Sequence, residues 1–543
     1  MQKILLLITS FNSLSQTIYV WLKDREFLVD VIYIKSNTME KEIKNFNPDI
    51  ILCPFLQHYI SANIYTYYPT FVFHPGLIGD RGAYSIEWAL WQEQKQWGGV
   101  WLKANKLFDG GDIYAFKKFD LNNTKKSTIY RNEMKNIAVD TLTELFDNIK
   151  KDKKLPQILN PIHDKFTITI DWQKDITKMI IKKINTLDSF PGVKDKILGI
   201  ECYLFGAWEE EQLKGNKPKT ILAKRDGAIC LSTIDGAVWI THLKEKDKFK
   251  LPATYVLKDN LKGIKENRLP LIFDRSYKTF YEISCDIENE IAYLHFNFLN
   301  GAFRAEQCIR LKYAIEYLKE QVKVIVLMGG EQFFSNGINL NILEDSKKSG
   351  EDGWSNINAI NDLIQTIIFA EEIITVASVS KNAGAGGVFL ATACDFVVGA
   401  KNVVLNPHYK TIGLSGSEYH TYTLQKRVGK QKAQELLNNC LPISIEYAKK
   451  IGLVDIVFKE KYKLFLKQYC KNLLQDDFFD DFIWNKQNYL EENKIFIESF
   501  KEKEITVMYP EFWEKESIFH TLRKEFVYKI CPTQTPKRLK YKG

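Results

Sequence analysis

A histidine closing an apolar run, followed at once by Pro-Gly, is the first place in this sequence where chemistry can be read. Phe71-Val72-Phe73-His74-Pro75-Gly76 predicts a buried strand with His74 at its tip, where open α/β sheets carry their reactive groups. Arg81-Gly82 follows. Further on comes Asp109-Gly110-Gly111-Asp112, a tight loop whose glycines let backbone approach a ligand and which presents Asp112. A histidine and a carboxylate on two such loops, His74 and Asp112, form an oriented acid–base pair. Each residue taken singly reads as well as a core histidine or a turn glycine.

A second constellation lies in the other half of the chain. Val322–Met328 predicts a buried strand that runs into Gly329-Gly330, and the loop continues through Gly337-Ile338-Asn339. Ile374–Ser378 predicts another strand, leading to Asn382-Ala383-Gly384-Ala385-Gly386-Gly387. Two glycine-rich strand-to-helix loops can each aim a backbone N–H at one carbonyl oxygen, an oxyanion hole made without side chains. Downstream, His408, Tyr409, Glu418 and Tyr419 are the groups available to move protons, with Glu418 and Tyr419 the preferred pair. Glu418 is read equally well as a residue of a first helical turn.

The elements that must position these groups follow from periodicity. Residues 1–155 alternate short apolar strands (Ile4–Ile8, Val29–Ile34, Ile50–Cys53, Thr70–Phe73) with amphipathic helices, the pattern of a parallel α/β sheet. Near its end, Lys126–Arg131 sets Ser127 as an N-cap with Arg131 one turn on. That is either a phosphate site or an ordinary cap beside a surface charge. After the lysine-rich stretch 150–154, residues 156–278 predict a small β-barrel-like domain, with hairpins at Asp226-Gly227 and Asp235-Gly236. Residues 279–460 predict a second α/β domain, and 461–543 a helical, aromatic and charged extension to which no chemistry is assigned. The basic run Lys537–Lys542 is read as a solvated end or as a site for a phosphate-bearing ligand.

Bulk properties narrow the class. The 543 residues exceed one core, and 45% hydrophobic with 26% charged residues is ordinary for a globular protein. A net charge of +8, spread through interleaved lysines and acids, does not point to nucleic acid. Nine dispersed cysteines with no Cys-x-x-Cys argue for a reducing compartment and against a structural metal. No stretch of 18 continuous apolar residues is present, so no membrane insertion is expected and the cytoplasm is the expected location.

The joint pattern His74-Pro75-Gly76, Arg81-Gly82, the helix Ser85–Trp91 and Asp109–Ile113 resembles 10-formyltetrahydrofolate-dependent formyltransferases. The resemblance implies that His74 stabilises an oxyanion and Asp112 orients it. It implies folate contacts at Phe55, Leu56, Arg81, Gly82, Gly111 and Ile113. The family's asparagine two residues before the histidine is Val72 here, so one polar donor is missing. Through both glycine-rich loops, the helix after each and Ala448–Asp455, the chain resembles the crotonase (enoyl-CoA hydratase/isomerase) family. This implies coenzyme A as cofactor, the N–H groups of Ile338 and Gly386 as oxyanion donors, and Gly337 and Gly387 as further coenzyme A contacts; the phosphate site read at Ser127 and Arg131 is assigned to the same cofactor. Phe389 and His408 stand where hydratases carry glutamates, so ordinary hydration is not expected.

A formyltransferase fused to a crotonase resembles a family of hydrogenase maturation factors. That resemblance implies carbon monoxide synthesis for a NiFe centre: formyl transfer from 10-formyltetrahydrofolate to coenzyme A, then loss of carbon monoxide. Hydrogenase assembly proteins are the implied partners. Two other readings stay open. One is an amine or sugar formyltransferase beside an independent acyl-CoA domain; the other is a non-catalytic coenzyme A-binding scaffold.

Overall fold

Five consecutive aliphatic residues, Ile4–Ile8, are fully buried because the strand they form lies inside a sheet covered on both faces. The computed structural model describes residues 2–122, 124–163 and 165–541. The chain folds as two compact units. The first comprises Met1–Leu269, Asp274–Phe280 and Cys531–Gly543, and the second Pro270–Phe273 and Tyr281–Ile530.

The first unit begins with β1 (Lys3–Ile8), β2 (Leu28–Tyr33), β3 (Ile50–Cys53) and β4 (Thr70–His74), all parallel. Two strands not foreseen in the sequence, β5 (Gln96–Lys103) and β6 (Ile113–Asp120), add antiparallel pairs, so the order is β2-β1-β3-β4-β5-β6. Neighbours on one strand alternate faces, so Val72 and His74 share a side of β4.

A second, antiparallel sheet is built from β7 (Val193–Ile197), β8 (Ile200–Glu210), β9 (Ile221–Arg225), β10 (Ala228–Ser232) and β11 (Ala237–Glu245). Asp226 and Gly227 both have positive φ, 52° and 92°, which suits a two-residue turn between twisted strands.

In the second unit, β12 (Ile283–Glu288), β13 (Ile291–Phe296), β14 (Val324–Gly329), β15 (Ile374–Val379), β16 (Phe396–Ala400) and β17 (Ile456–Phe458) lie side by side in chain order. All but the first pair are parallel. A 38-residue helix, Asp476–Trp513, packs its buried Leu490, Ile497, Met508 and Phe512 into the core of this unit.

The last residues do not continue the helical extension. Residues 531–541 return to the first unit, where Tyr33 N–H donates to Thr535 Oγ1 (3.1 Å) and Lys540 pairs with Glu42 at 2.8 Å. Leu539 is buried there, so the described part of the basic run, 537–541, is docked rather than a solvated end. Among the described residues no helix is long and apolar enough to cross a membrane.

Candidate active sites

In the first unit the ring of His74, only 3% exposed, lies between two carboxylates. Asp80 Oδ2 is 2.8 Å from Nε2, and Asp109 Oδ2 is 3.4 Å from Nδ1. Asp80 is itself buried and receives Ser85 Oγ at 2.5 Å, while its second oxygen meets His163 Nε2 at 2.8 Å. Burial pushes the Asp80 pKa up, but the hydrogen bonds from His74 and Ser85 and the histidine charge outweigh it, and the net shift is downward. An ionised Asp80 can only accept, so the hydrogen of His74 belongs on Nε2. Nδ1 and Asp109 are then the pair able to exchange a proton with a reacting group. Gly76 is required here, because a Cβ at that position would lie 2.3 Å from Asp80 Oδ2 and 2.5 Å from His74 Nε2.

The pairing of His74 with Asp112 expected from the sequence is not made. Lys103 N–H donates to the Asp112 carbonyl at 2.8 Å, which places Asp112 at the neck of the β5–β6 loop. Its side chain turns outward, about half exposed, and pairs with Lys154 at 3.0 Å. Three residues earlier, Asp109 sits at the loop tip with φ 47° and accepts from Gly82 N–H at 3.2 Å. Gly111 makes the neck possible: a Cβ would lie 1.7 Å from the Lys103 carbonyl oxygen.

The residues expected to meet folate are placed as follows. Arg81 donates through Nε to the Phe108 carbonyl (2.9 Å), and Gly82 braces Asp109. Phe55 is half-buried with its ring edge-on to Tyr130, and Leu56 packs on the β1–β3 core. Ile113 is a core residue of β6, and the Gly111 carbonyl accepts from Gln157.

Ser127 is not a cap. It lies inside the short helix Lys126–Ile129, and its hydroxyl donates to the buried Asp188. Arg131 falls in a single π-turn, Tyr130–Met134; burial lowers its pKa and the Asp188 charge opposes that. Ser127 and Arg131 stand instead beside the buried Asp188, which Lys250 also approaches at 3.7 Å.

In the second unit the two glycine loops converge. Phe334 N–H donates to the Asn382 carbonyl and Gly384 N–H to the Ser335 carbonyl, both at 3.0 Å. A Cβ on Gly337 would lie 3.0 Å from Gly386 N, so the strand segment Gly337–Ile338 and the start of the helix Gly386–Thr392 touch. As the first residue of that helix, Gly386 has an N–H with no intrahelical acceptor. A Cβ on Gly387 would lie 2.0 Å from the Ser335 carbonyl oxygen, so that glycine closes the loop contact.

Glu418, 1% exposed, meets the same spot. Its Oε1 lies 2.3 Å from where a Gly386 Cβ would be. Oε2 accepts from the Tyr409 hydroxyl (2.6 Å) and from the N–H and Oγ of Ser417 (3.1 and 3.0 Å). Burial raises the Glu418 pKa against these hydrogen bonds and the nearby His420 charge. The expected pairing with Tyr419 is not made. Tyr419 sits in the left-handed region with φ 53°, and its buried hydroxyl has no hydrogen-bond partner among the described residues. Tyr409, named in the sequence as available, is the partner of Glu418.

Phe389 stacks on Tyr409 (5.2 Å) and lies tilted against His420 (5.3 Å), an apolar wall beside the carboxylate. Asp80, Asp109, His163, His420, Asn361 and Glu504 were missed. Asp80 lies between the His74 and Arg81 motifs, directly before Arg81, whereas nothing local marks Glu504.

Comparison with known proteins agrees with both halves. The formyl transferase C-terminal domain profile matches residues 164–260, and the enoyl-CoA hydratase/isomerase profile matches residues 286–471. The fold and these matches define a protein that joins a formyltransferase to a crotonase-like domain. The hydrogenase maturation factor HoxX of Bradyrhizobium diazoefficiens is 33% identical, covering 98% of this chain and 96% of its own. The crystal structure of HypX from Aquifex aeolicus in complex with tetrahydrofolic acid is 40% identical, with a TM-score of 0.95, covering 99% of this chain and 98% of that one. The chain belongs to the HypX/HoxX family of hydrogenase maturation factors.

Proposed function

We propose that this protein makes carbon monoxide for hydrogenase assembly from the formyl group of 10-formyltetrahydrofolate, in two steps linked by coenzyme A. Support for folate comes from the His74 site and from the relative crystallised with tetrahydrofolic acid. Support for a thioester comes from the paired glycine loops, where Gly337, Ile338, Gly386 and Gly387 would hold its carbonyl.

In the first step His74, oriented by Asp80, polarises the formyl carbonyl. Asp109 manages the proton that moves from the attacking thiol to the departing folate nitrogen. A thiol pKa near 8.5 asks little of that base.

In the second step the N–H groups of Ile338 and Gly386 bind the formyl oxygen, and Glu418 Oε1 takes the formyl proton. The C–H pair stays on carbon, the C–S pair leaves with sulfur, and Glu418 returns the proton to the thiolate while Tyr409 holds the carboxylate. No oxidant or water is consumed. Phe389 beside the carboxylate suits a step that water would divert to formate.

The observation that carries this reading is the buried Glu418 aimed at Gly386 where the two loops meet. It is tested by first-turnover measurement of tetrahydrofolate and carbon monoxide. His74→Ala should abolish both, whereas Glu418→Gln should keep the tetrahydrofolate and lose the gas. Carbon monoxide from Glu418→Gln at the unaltered rate would favour a scaffold role for the second unit.

A further inference from the structure

The loop that carries Glu418 is held partly from outside the crotonase-like match. Gly413, Gly416, Glu418 and Tyr419 all have positive φ (79°, 100°, 65° and 53°), and two consecutive non-glycine residues there are strained. Such a loop persists only if its surroundings over-determine it. Asn361 Oδ1, on the helix Ser349–Ile368, accepts from Glu418 N–H at 2.8 Å. The other anchors come from the long helix Asp476–Trp513. Glu511 accepts from the N–H (2.9 Å) and Oγ (3.2 Å) of Ser415, and Glu504 accepts from Thr421 N–H (2.7 Å) and from the Thr421 hydroxyl. These two glutamates lie seven residues apart, two turns along one face.

Glu504 does more than anchor. It is buried, Oε1 lies 3.2 Å from His420 Nδ1, and Oε2 has no partner among the described residues. His420 Nδ1 also faces the Ser417 carbonyl at 2.9 Å, so that nitrogen carries a hydrogen shared between two acceptors. The same ring lies 5.2 Å from that of Tyr409, the phenol bound to Glu418. Residue 504 lies beyond the enoyl-CoA hydratase/isomerase match, which ends at 471.

We infer that Glu504 is a positioning residue of the carbon monoxide-forming site, acting on Glu418 through His420 and through the Thr421 end of the strained loop. The inference rests on the carbon monoxide-forming reading above. Facing Glu418 are Tyr409, His420, Glu504 and the buried Cys308; facing His420 are Glu418 and Glu504. Tyr419 faces Glu498, Glu504 and Asp362, the last paired with Lys501 at 2.7 Å. Burial works against a charge on His420, but the Glu504 carboxylate, the Glu418 charge and the Ser417 carbonyl together outweigh it and raise the histidine pKa. That cation lowers the Glu418 pKa more than the Glu504 charge raises it, so losing both charges moves Glu418 upward.

The test uses the full-length protein and follows carbon monoxide release against pH, with first-turnover tetrahydrofolate as control. Glu504→Gln keeps an acceptor for Thr421 but removes the charge. Its acidic limb is expected at higher pH, with a loss of about tenfold per unit of displacement at pH values below the limb and recovery as pH rises. His420→Gln should displace the limb the same way, and the double variant should be no worse than either single one. An unmoved limb in both single variants, or a loss uniform across pH, overturns the inference. Unaltered protein that yields tetrahydrofolate but no carbon monoxide overturns the function itself, a failure visible before any variant is made.

Discussion

The ring of His74 has a carboxylate on each nitrogen, and the two carboxylates have different tasks. Asp80 is buried and hydrogen-bonded, so it fixes the ring. Asp109 stands on a loop tip, so it is the one able to trade a proton with a reactant. Asp109→Asn should therefore slow tetrahydrofolate release by about 10²–10⁴-fold, the usual yield of a positioned acid–base group. Asp112→Asn should leave it unchanged, and single-turnover absorbance distinguishes them. Glu418 makes a pH prediction. Burial raises its pKa, so carbon monoxide formation should fall as pH drops through a value above the usual carboxylate figure of about 4.3. The stability sign is the reverse. A carboxyl raised in the folded state contributes fully below its unfolded pKa, and that contribution is lost as pH rises through the folded value. Glu418→Gln should then raise Tm while abolishing gas release, and calorimetry at pH 5 and pH 8 should show the larger gain at the higher pH.

At the scale of elements, function depends on how closely loops approach. Gly386→Ala would bring a Cβ against Glu418 Oε1 and 3.3 Å from Gly337 Cα, prising the two glycine loops apart. Losing an oxyanion donor typically costs about 10²–10³-fold, so carbon monoxide release should fall by that order with tetrahydrofolate release intact. The glycine loops and the strand tip at His74 were legible in the sequence because each is a local pattern: an apolar run, then residues that permit turns. The choice between Asp109 and Asp112 was not. It depends on where β5 and β6 pair, and those strands alternate Trp, Gly, Lys and Phe too irregularly to announce themselves. Tyr419 is the neighbour of Glu418 in sequence but not its partner in space. Consecutive positive φ values at Glu418 and Tyr419 turn the neighbour away and bring residue 409 in.

Across the whole chain, the two halves were legible and the ends were not. Both α/β sheets announce themselves through buried aliphatic runs, but the long helix Asp476–Trp513 reads only as helical, aromatic and charged, with no mark of its role. Glu504 and Glu511 matter only through the loop they touch, which lies 83 to 96 residues earlier. Likewise the terminal basic run gives no local sign that it docks beside β2. The central claim is that one polypeptide takes a formyl group from folate, places it on a thiol and breaks it into carbon monoxide. The most direct measurement incubates the purified protein with 10-formyltetrahydrofolate labelled with ¹³C in the formyl group, with and without coenzyme A, and traps gas on reduced haemoglobin. Labelled carboxyhaemoglobin in step with tetrahydrofolate, and only when coenzyme A is present, is the predicted result. Labelled formate or a formylated amine in its place, or equal gas without coenzyme A, would contradict it.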